Sequence, residues 1–278
     1  MRRPSEAFIT EPLADLGSWT RHFLDAEVPV LSETAAAVES LRKIEDDVDA
    51  NRIGEALSAD PLMTLKVLAY ASRHQGRRVV TDVETVTEAL VMLGISPFFR
   101  AFDVQPTIDD WLGGRPEALK GLLTAMQRAD HGANLALAFA IQRMDPDAAT
   151  VHSVALLHDF ANLLLWCHAP DLQLQVQSLR RADPALASRT AQEQVLRIAV
   201  ADLQVELARE WHLPELLAPT ERTRHTDDVR IRSIGLAARL AHDLACGWDS
   251  AVVLADVDEI AALLNLSPST TLRLAQSI

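Results

Sequence analysis

The sequence predicts an all-α protein with two helical lobes, and three observations support this. Leucine and alanine are abundant, whereas only 10 glycines and 5% aromatic residues occur among the 278 residues; this composition favours helices over sheets. Apolar residues recur at three- and four-residue steps in many segments, as on the buried face of a helix. The hydrophobic content of 49% is enough to bury a sizeable core.

Residues 151–170 are predicted to form one helix, and this helix carries the chemistry of most interest. Val154, Leu157 and Phe160 follow helical spacing, while His158 and Asp159 stand next to each other among leucines. A buried imidazole and carboxylate need hydrogen-bond partners or a cation to offset their lost hydration. The pair therefore indicates a functional site or the remnant of one.

The N-terminal quarter of the chain is predicted to begin with a poorly ordered segment. Residues 1–26 mix proline, glycine and charge, and we expect a loosely ordered leader with a short helix over residues 19–24. Ser32 is a typical N-cap residue and predicts a helix from there to about residue 44. The acidic run 45–49 reads as a solvated connection before a short helix over residues 51–59.

Capping signals define the next helices. In Asp60-Pro61 the aspartate caps a helix whose first position suits proline, and Thr81-Asp82 forms a second capping pair. The apolar residues of segment 86–93 repeat at helical spacing, and Gly94 is placed to close that helix in a left-handed turn. Ser96-Pro97 then restarts helical geometry.

Residues 103–116 are the most loop-like internal segment, with two prolines, two glycines and two adjacent aspartates. They predict a boundary between two helical lobes. Small side chains recur through the long helix that follows, which allows close packing with its neighbours. The remaining helices are predicted over residues 117–144, 170–183, 190–211 and 228–246, with two short helices in the last 28 residues separated by residues 265–268.

Charge and cysteine content exclude several classes of protein. The net charge of −13 opposes general attraction to nucleic acid or to an anionic membrane. Cys167 and Cys246 lack the spacing of metal ligands and suggest no disulfide framework, which favours a reducing, cytoplasmic location. Arg2 and Arg3 precede no apolar core of a signal peptide, and no apolar run is expected to reach the length of a membrane span.

A series of short motifs runs through the chain in a fixed order: Asp60-Pro61, Leu65 and Leu68, then Val86, Glu88–Leu90 and Leu93-Gly94, then Leu156–Asp159, Trp211–Pro214 and His225. In order and spacing this series resembles the HDOD family, the HD-related output domains of bacterial signalling proteins, over about residues 28–247. The resemblance implies an all-helical fold whose second lobe is similar to the metal-dependent HD phosphohydrolases. It also implies a regulatory role without catalysis.

The resemblance further implies how an active HD enzyme would hold its metal: a first His, an adjacent His-Asp pair and an Asp on a later helix. His131 matches the first position, and His158 with Asp159 matches the pair. The later acid falls at Arg239, a cation that would repel a metal ion. Other family positions also depart: Phe160–Asn162 follow the pair, Val200 replaces a His and Ser72 replaces an Asn. We therefore expect vestigial residues that bind neither a metal nor another cofactor.

Two catalytic alternatives can be weighed against this expectation. Metal-dependent phosphoester hydrolysis at His158-Asp159 would need three or four converging ligands, and a core pair satisfied by neighbouring groups is the simpler interpretation. Ser153, His152 and Asp159 are the residue types of a nucleophilic triad, but from one helix they cannot converge.

A DNA-binding alternative rests on residues 259–271, which resemble a helix-turn-helix. A DNA reader would present basic and amide side chains there, whereas only Arg273 is basic and Asp256, Asp258 and Glu259 lie beside it. A packed helical hairpin is the preferred interpretation.

Three side chains are candidates for contact with a partner protein. Trp111 lies in the boundary segment and could anchor a partner, or fill the seam between lobes. Arg77 and Arg78 follow Gly76 in a basic turn that could contact an acidic partner or a nucleotide messenger, although solvation alone also explains an exposed Arg pair.

Together these observations predict a leader over residues 1–26, an HDOD-like domain over 27–247 and a C-terminal helical hairpin over 248–278. Within the domain we expect one helical lobe over 27–105 and an HD-like lobe over 115–247. The predicted protein is a non-catalytic regulatory module of bacterial signal transduction that binds a protein partner, is not attached to a membrane and could form a homodimer.

Overall fold

The computed structural model describes residues 8–74, 83–214, 217 and 228–278, and the fold is all-α as predicted. Within these ranges the one β pairing is an isolated parallel bridge between Val30 and Thr107. The helices of the described chain are α1 Leu16–Asp25, α2 Ser32–Arg42, α3 Ala50–Leu57, α4 Pro61–His74, α5 Val86–Leu93, α6 Ile95–Ala101, α7 Ile108–Leu112, α8 Pro116–Gln142, α9 Ala148–Leu156, α10 Phe160–His168, α11 Pro170–Ala182, α12 Ser188–Leu196, α13 Val200–Glu210, α14 Val229–Asp243, α15 Ala251–Leu264 and α16 Pro268–Gln276.

The helices form two compact units. Unit 1 contains Met1–Met126 and Asp159–Leu213, and unit 2 contains Gln127–His158 and Pro214–Ile278. The predicted boundary segment 103–116 lies inside unit 1. It is also not a plain loop, because it contains α7 and contributes Thr107 to the bridge with Val30.

The N-terminal helix α1 is a packed part of unit 1. The predicted short helix over residues 19–24 lies within it and is confirmed, whereas the expectation of a loosely ordered leader is wrong for residues 16–25. Trp19 and Phe23 on this helix are 0% and 1% exposed. The Trp19 indole N–H donates a hydrogen bond to the carbonyl of Leu196, 3.1 Å away. This large buried aromatic surface holds the segment against α13.

Asp60 joins two helix starts in unit 1. As predicted, its carboxylate caps α4, because Oδ1 accepts the backbone N–H groups of Leu62 at 2.9 Å and Met63 at 3.0 Å. Its Oδ2 accepts the N–H of Leu31 at 2.8 Å. Ser32, predicted to be the N-cap of α2, is instead its first residue, and its hydroxyl donates to the Asp109 carboxylate.

The helix α5 begins and ends at capping residues. Thr85 and Glu88 form a capping box at its start. Gly94 ends it with a φ of +86°, a conformation that glycine adopts without steric cost, as predicted. The other predicted capping pair, Thr81-Asp82, lies outside the described residues.

The predicted single helix over residues 151–170 is two helices. Leu157, His158 and Asp159 form a turn between α9 and α10. In unit 2, α9 packs on α14, whereas in unit 1 α10 packs on α4, α7, α11 and α13. The apolar residues of this segment pack in two separate cores. They therefore do not form one continuous amphipathic face.

The same segment qualifies by length and composition as a membrane span, contrary to the sequence expectation. Ala148–His168 has a mean hydropathy of 1.2 over its most apolar window, of which 61% is buried inside the protein. Core helices of globular proteins share this composition, because burial on all sides demands apolar residues all round.

Helix breaks also divide the predicted helix over residues 190–211. Arg197 adopts a left-handed φ of +62° and ends α12, and α13 begins at Val200. In contrast, small residues of α8 pack closely as predicted: Ala133 and Ala136 are fully buried. The C-terminal hairpin is also confirmed, with Asn265 in a left-handed conformation between α15 and α16.

We expect D60A to lower the free energy of unfolding by about 3 kcal/mol, since it leaves two buried N–H groups and the half-buried one of Leu31 without acceptors. Urea denaturation would measure this loss. The matched control is D49A, which removes an exposed cap of α3 and should cost about 1 kcal/mol. Equal losses in the two variants would contradict the role assigned to Asp60.

Candidate functional site

His158 and Asp159 occupy the turn between α9 and α10 but have different environments. The Nε2 atom of His158 is buried, and burial lowers the pKa of this histidine to about 4. Asp159 is exposed and accepts a hydrogen bond from the Asn162 side-chain amide at 3.0 Å. The imidazole is therefore neutral at physiological pH, and the carboxylate is solvated.

His131, the match to the first HD ligand, lies on the unit 2 part of α8 and is half-buried. Its Nε2 is buried and has no hydrogen-bond partner among the described residues. Across those residues, no three His, Cys, Asp or Glu side chains form a group that could hold a metal ion. The fold thus does not assemble His131, His158 and Asp159 into a metal-binding set.

Arg239, which the resemblance matches to the later HD acid, is the centre of an ion-pair cluster in unit 2. Its Nε donates to Oδ1 of Asp256 at 2.6 Å, and a terminal nitrogen donates to the Glu259 carboxylate. Asp256 is only 4% exposed; burial raises its pKa, and the Arg239 charge opposes that shift.

These residues do not fit the divalent metal that the HD fold implies. By the resemblance, the Arg239 guanidinium falls where an HD enzyme carries a ligand carboxylate, and two acids from α15 already pair with it. A metal ion beside Arg239 would meet a fixed positive charge instead of a donor atom.

The two other departures from the family pattern lie in unit 1. Val200 is 4% exposed at the start of α13, where it packs in place of a polar residue. The Ser72 hydroxyl, which replaces an amide, reaches the His212 carbonyl at 3.5 Å. Neither position carries a titratable group.

Of the three partner-binding candidates, only Trp111 lies within the described residues. Arg77 and Arg78 lie outside the described residues. Trp111 lies on α7 and is half-buried, and its indole N–H donates to the Cys167 carbonyl at 2.8 Å. Its ring centroid is 5.6 Å from that of His168, so this side chain has packing partners within unit 1.

A histidine pair beside Trp111 was not predicted from the sequence. His168 is 5% exposed, and its Nε2 lies 3.0 Å from the Glu27 carbonyl. Because a carbonyl only accepts, Nε2 carries the proton and Nδ1 is left to accept from Nε2 of His22, 3.4 Å away. Burial lowers the pKa of His168 to about 4 and also lowers that of His22.

The C-terminal hairpin does not present the side chains of a DNA reader. Thr271 and Ala275 are buried, and Arg273 is the one basic residue of α16. The acids Asp256 and Glu259 of α15 are engaged by Arg239. The exposed surface of the hairpin therefore offers few groups that could contact phosphate.

Comparison with known proteins supports the resemblance inferred from the motifs. The HDOD domain pattern matches residues 28–226. The MmoQ response regulator from Methylococcus capsulatus str. Bath is similar in structure, with a TM-score of 0.68 and 20% identity over 91% of this chain and 99% of that one. A virulence factor from Campylobacter jejuni subsp. jejuni has a TM-score of 0.62 and 16% identity, covering 91% of this chain and 90% of its own. At these identities the likeness shows the fold alone. No curated protein matches the chain.

Acidification should destabilise the protein through His168. The folded-state pKa of about 4 lies below the unfolded value of about 6.5, so the unfolded chain binds the proton first as pH falls. The free energy of unfolding should then fall between pH 6.5 and pH 4, by up to about 3 kcal/mol for this residue.

Urea denaturation at a series of pH values would measure this dependence. H168Q removes one of the titrating groups and should reduce the slope, leaving the part due to His158 and His22, whose pKa values burial also lowers. H74Q changes an exposed histidine and should leave the slope unchanged. An unaltered slope in H168Q would show that the loss arises elsewhere.

R239M should lower the free energy of unfolding by about 3 kcal/mol, because it leaves the buried Asp256 carboxylate without its counter-charge. The double variant R239M/D256L removes both charges and should recover most of the loss. Chemical denaturation of the variants gives the comparison, and a fully stable R239M would disprove the structural role of this ion pair.

Proposed function

The chain belongs to the HDOD domain family, and from this premise we propose that it is a non-catalytic regulatory module of signal transduction. The module acts by binding a protein partner. It works in a bacterial cytoplasm, a setting that fits two cysteines without a disulfide.

The Arg239 ion pair is the observation that carries the proposal. An HD phosphohydrolase needs a carboxylate at this position to hold metal and activate water. Here the position holds a cation that Asp256 and Glu259 neutralise. Restoring a ligand would require breaking an ion pair with a buried partner, which costs several kcal/mol.

The state of the His-Asp pair supports the same proposal. His158 is half-buried and neutral with its Nε2 atom enclosed, while the exposed Asp159 carboxylate accepts a hydrogen bond from Asn162. A neutral histidine with an enclosed ring nitrogen and a solvated carboxylate serve fold stability without any bond chemistry.

Regulation by such a module follows from differential binding. A partner that contacts one conformation more tightly than another raises the population of the first. Coupling of this kind typically amounts to about 1–3 kcal/mol, which is enough to switch an output without catalysis.

The variant D159N separates signalling from catalysis, because it changes an exposed carboxylate and should leave the fold intact. We expect a plasmid copy carrying D159N to restore the transcript profile of a deletion strain as fully as the native gene. The purified protein should also hydrolyse neither p-nitrophenyl phosphate nor its diester in the presence of Mn²⁺.

Hydrolysis that depends on Mn²⁺ and is lost in D159N would refute the proposal in favour of a phosphohydrolase. A gel shift with duplex DNA that disappears on truncation at Val257 would favour the DNA-binding alternative instead.

A further inference from the structure

Unit 2 has an open cavity of about 600 Å³ that lies apart from the residues of the HD resemblance. It is formed where α8 and α15 end and α14 begins. Arg143 and Arg232 line it beside the apolar side chains of Val229 and Leu263. The cavity thus combines two cations with apolar surface, and its volume is in the range of binding sites in proteins.

Among the residues that the structure describes, the two cavity arginines differ from their neighbours in having no acidic partner. In unit 2, Arg230 pairs with Asp145 and Asp147, and Arg239 pairs with Asp256 and Glu259. Arg143 and Arg232 are half-buried, yet among the described residues neither guanidinium forms a hydrogen bond or an ion pair.

The carboxylate of Asp145 is close enough to act on Arg143 electrostatically. The side-chain hydrogen bonds of this carboxylate go to Arg230, since each oxygen accepts one from that guanidinium at 2.9 Å. Cations that are partly removed from water without a hydrogen-bonded counter-ion are costly, and an incoming anion would offset that cost at both arginines.

Met144, next to Arg143, supplies a second and independent observation. It is 89% exposed and has a φ of +56°, at the residue that closes α8. The Asp145 N–H donates to the Ala140 carbonyl at 2.9 Å, and the Met144 N–H donates to that of Ile141, also at 2.9 Å. This is a Schellman motif, in which glycine or asparagine normally takes the left-handed position.

The sequence therefore places a large apolar side chain in a strained conformation where it contacts mostly water. Ile141 lies one helical turn earlier and is 62% exposed. Exposed apolar side chains that adjoin one another mark interaction surfaces more often than scattered ones do, and methionine adapts well to varied partners.

We infer that this surface of unit 2, which we call the α8-end face (Arg143, Met144, Arg232 and Leu263), docks a peptide segment of the partner that carries both acidic and apolar residues. The inference rests on the proposed function, since it names the chemistry of the partner. Carboxylates of the peptide would pair with the two guanidiniums in bidentate fashion, and its apolar side chains would cover Met144 and Leu263.

Charge favours a peptide over nucleic acid at this face. The chain has a net charge of −13, and an extended polyphosphate would meet repulsion along most of the surface. One or two carboxylates act only within the screening distance of about 8 Å, where the two arginines dominate.

Panning of a phage-displayed library of random peptides on the full-length protein tests the inference. Selected peptides should be enriched in Asp or Glu together with Leu, Ile or Phe. As synthetic peptides they should bind R143Q and R232Q at least about tenfold more weakly than the native chain, as expected for residues central to an interface. R273Q, which changes an exposed arginine elsewhere in unit 2, is the matched control and should bind normally.

M144G distinguishes a docking role from a structural one. Glycine suits the left-handed position, so the variant should melt about 2 °C higher while it binds the selected peptides more weakly. A structural role for Met144 predicts the opposite change in melting temperature.

Three results would overturn the inference: selection of no peptides, selection of peptides without acidic residues, or equal binding by R143Q, R232Q and the native chain. Self-association in sedimentation experiments that R143Q abolishes would do so as well, since the occupant would then be a second copy of this chain. None of these results would affect the D159N complementation, so a failure here is distinct from a failure of the proposed function.

Discussion

A buried carboxylate organises the first part of unit 1. Asp60 is 1% exposed and accepts three backbone N–H groups, two at the start of α4 and one from Leu31 before α2. Burial raises the pKa of this aspartate, and these hydrogen bonds oppose the shift. An all-helical core leaves unsatisfied N–H groups wherever a helix begins, so it needs such acceptors.

In the same unit, Lys66 on α4 binds the Val28 carbonyl and the Gln105 side chain, at 2.9 and 2.7 Å. The connection between α1 and α2 is thereby held by polar contacts that α4 supplies.

In unit 2, the comparable constraint is a buried ion pair, and it bears directly on function. Arg239 and Asp256 are each worth little alone, because either would be a poorly solvated charge without the other. Their pairing forms part of the contact between α14 and α15. By the HDOD resemblance, Arg239 falls where an HD enzyme would carry a ligand acid, and its charge is already paired with Asp256 and Glu259. This pairing supports the non-catalytic role that we propose.

The arginines of unit 2 fall into two groups: those paired with acidic residues and those that have no acidic partner among the described residues. Arg230 and Arg239 are committed to acids within unit 2, whereas Arg143 and Arg232 line an open cavity beside an exposed methionine. Local backbone strain also occurs there. Of the non-glycine residues with positive φ among the described ranges, Asn265 is of the type that favours this conformation, whereas Met144 and, in unit 1, Arg197 are not. Departures from local preference of this kind concentrate where a protein has a functional requirement to meet.

The sequence by itself determined the helical class, the HDOD family and those helix ends that local chemistry sets. The caps at Asp60, Gly94 and Asn265 act within a few residues of their own position, so these roles are readable from a linear pattern. The bond from Leu31 to Asp60, which spans 29 residues, is not. Only the tertiary structure decided that residues 157–159 form a turn, that Ser32 bonds to Asp109 instead of capping α2, and that His22 meets His168. It also decided the partners of Arg239, of which Asp256 lies 17 residues away in sequence. Periodicity predicts that a residue is buried but does not specify which core it faces or which distant side chain it meets, because those depend on the packing of whole helices.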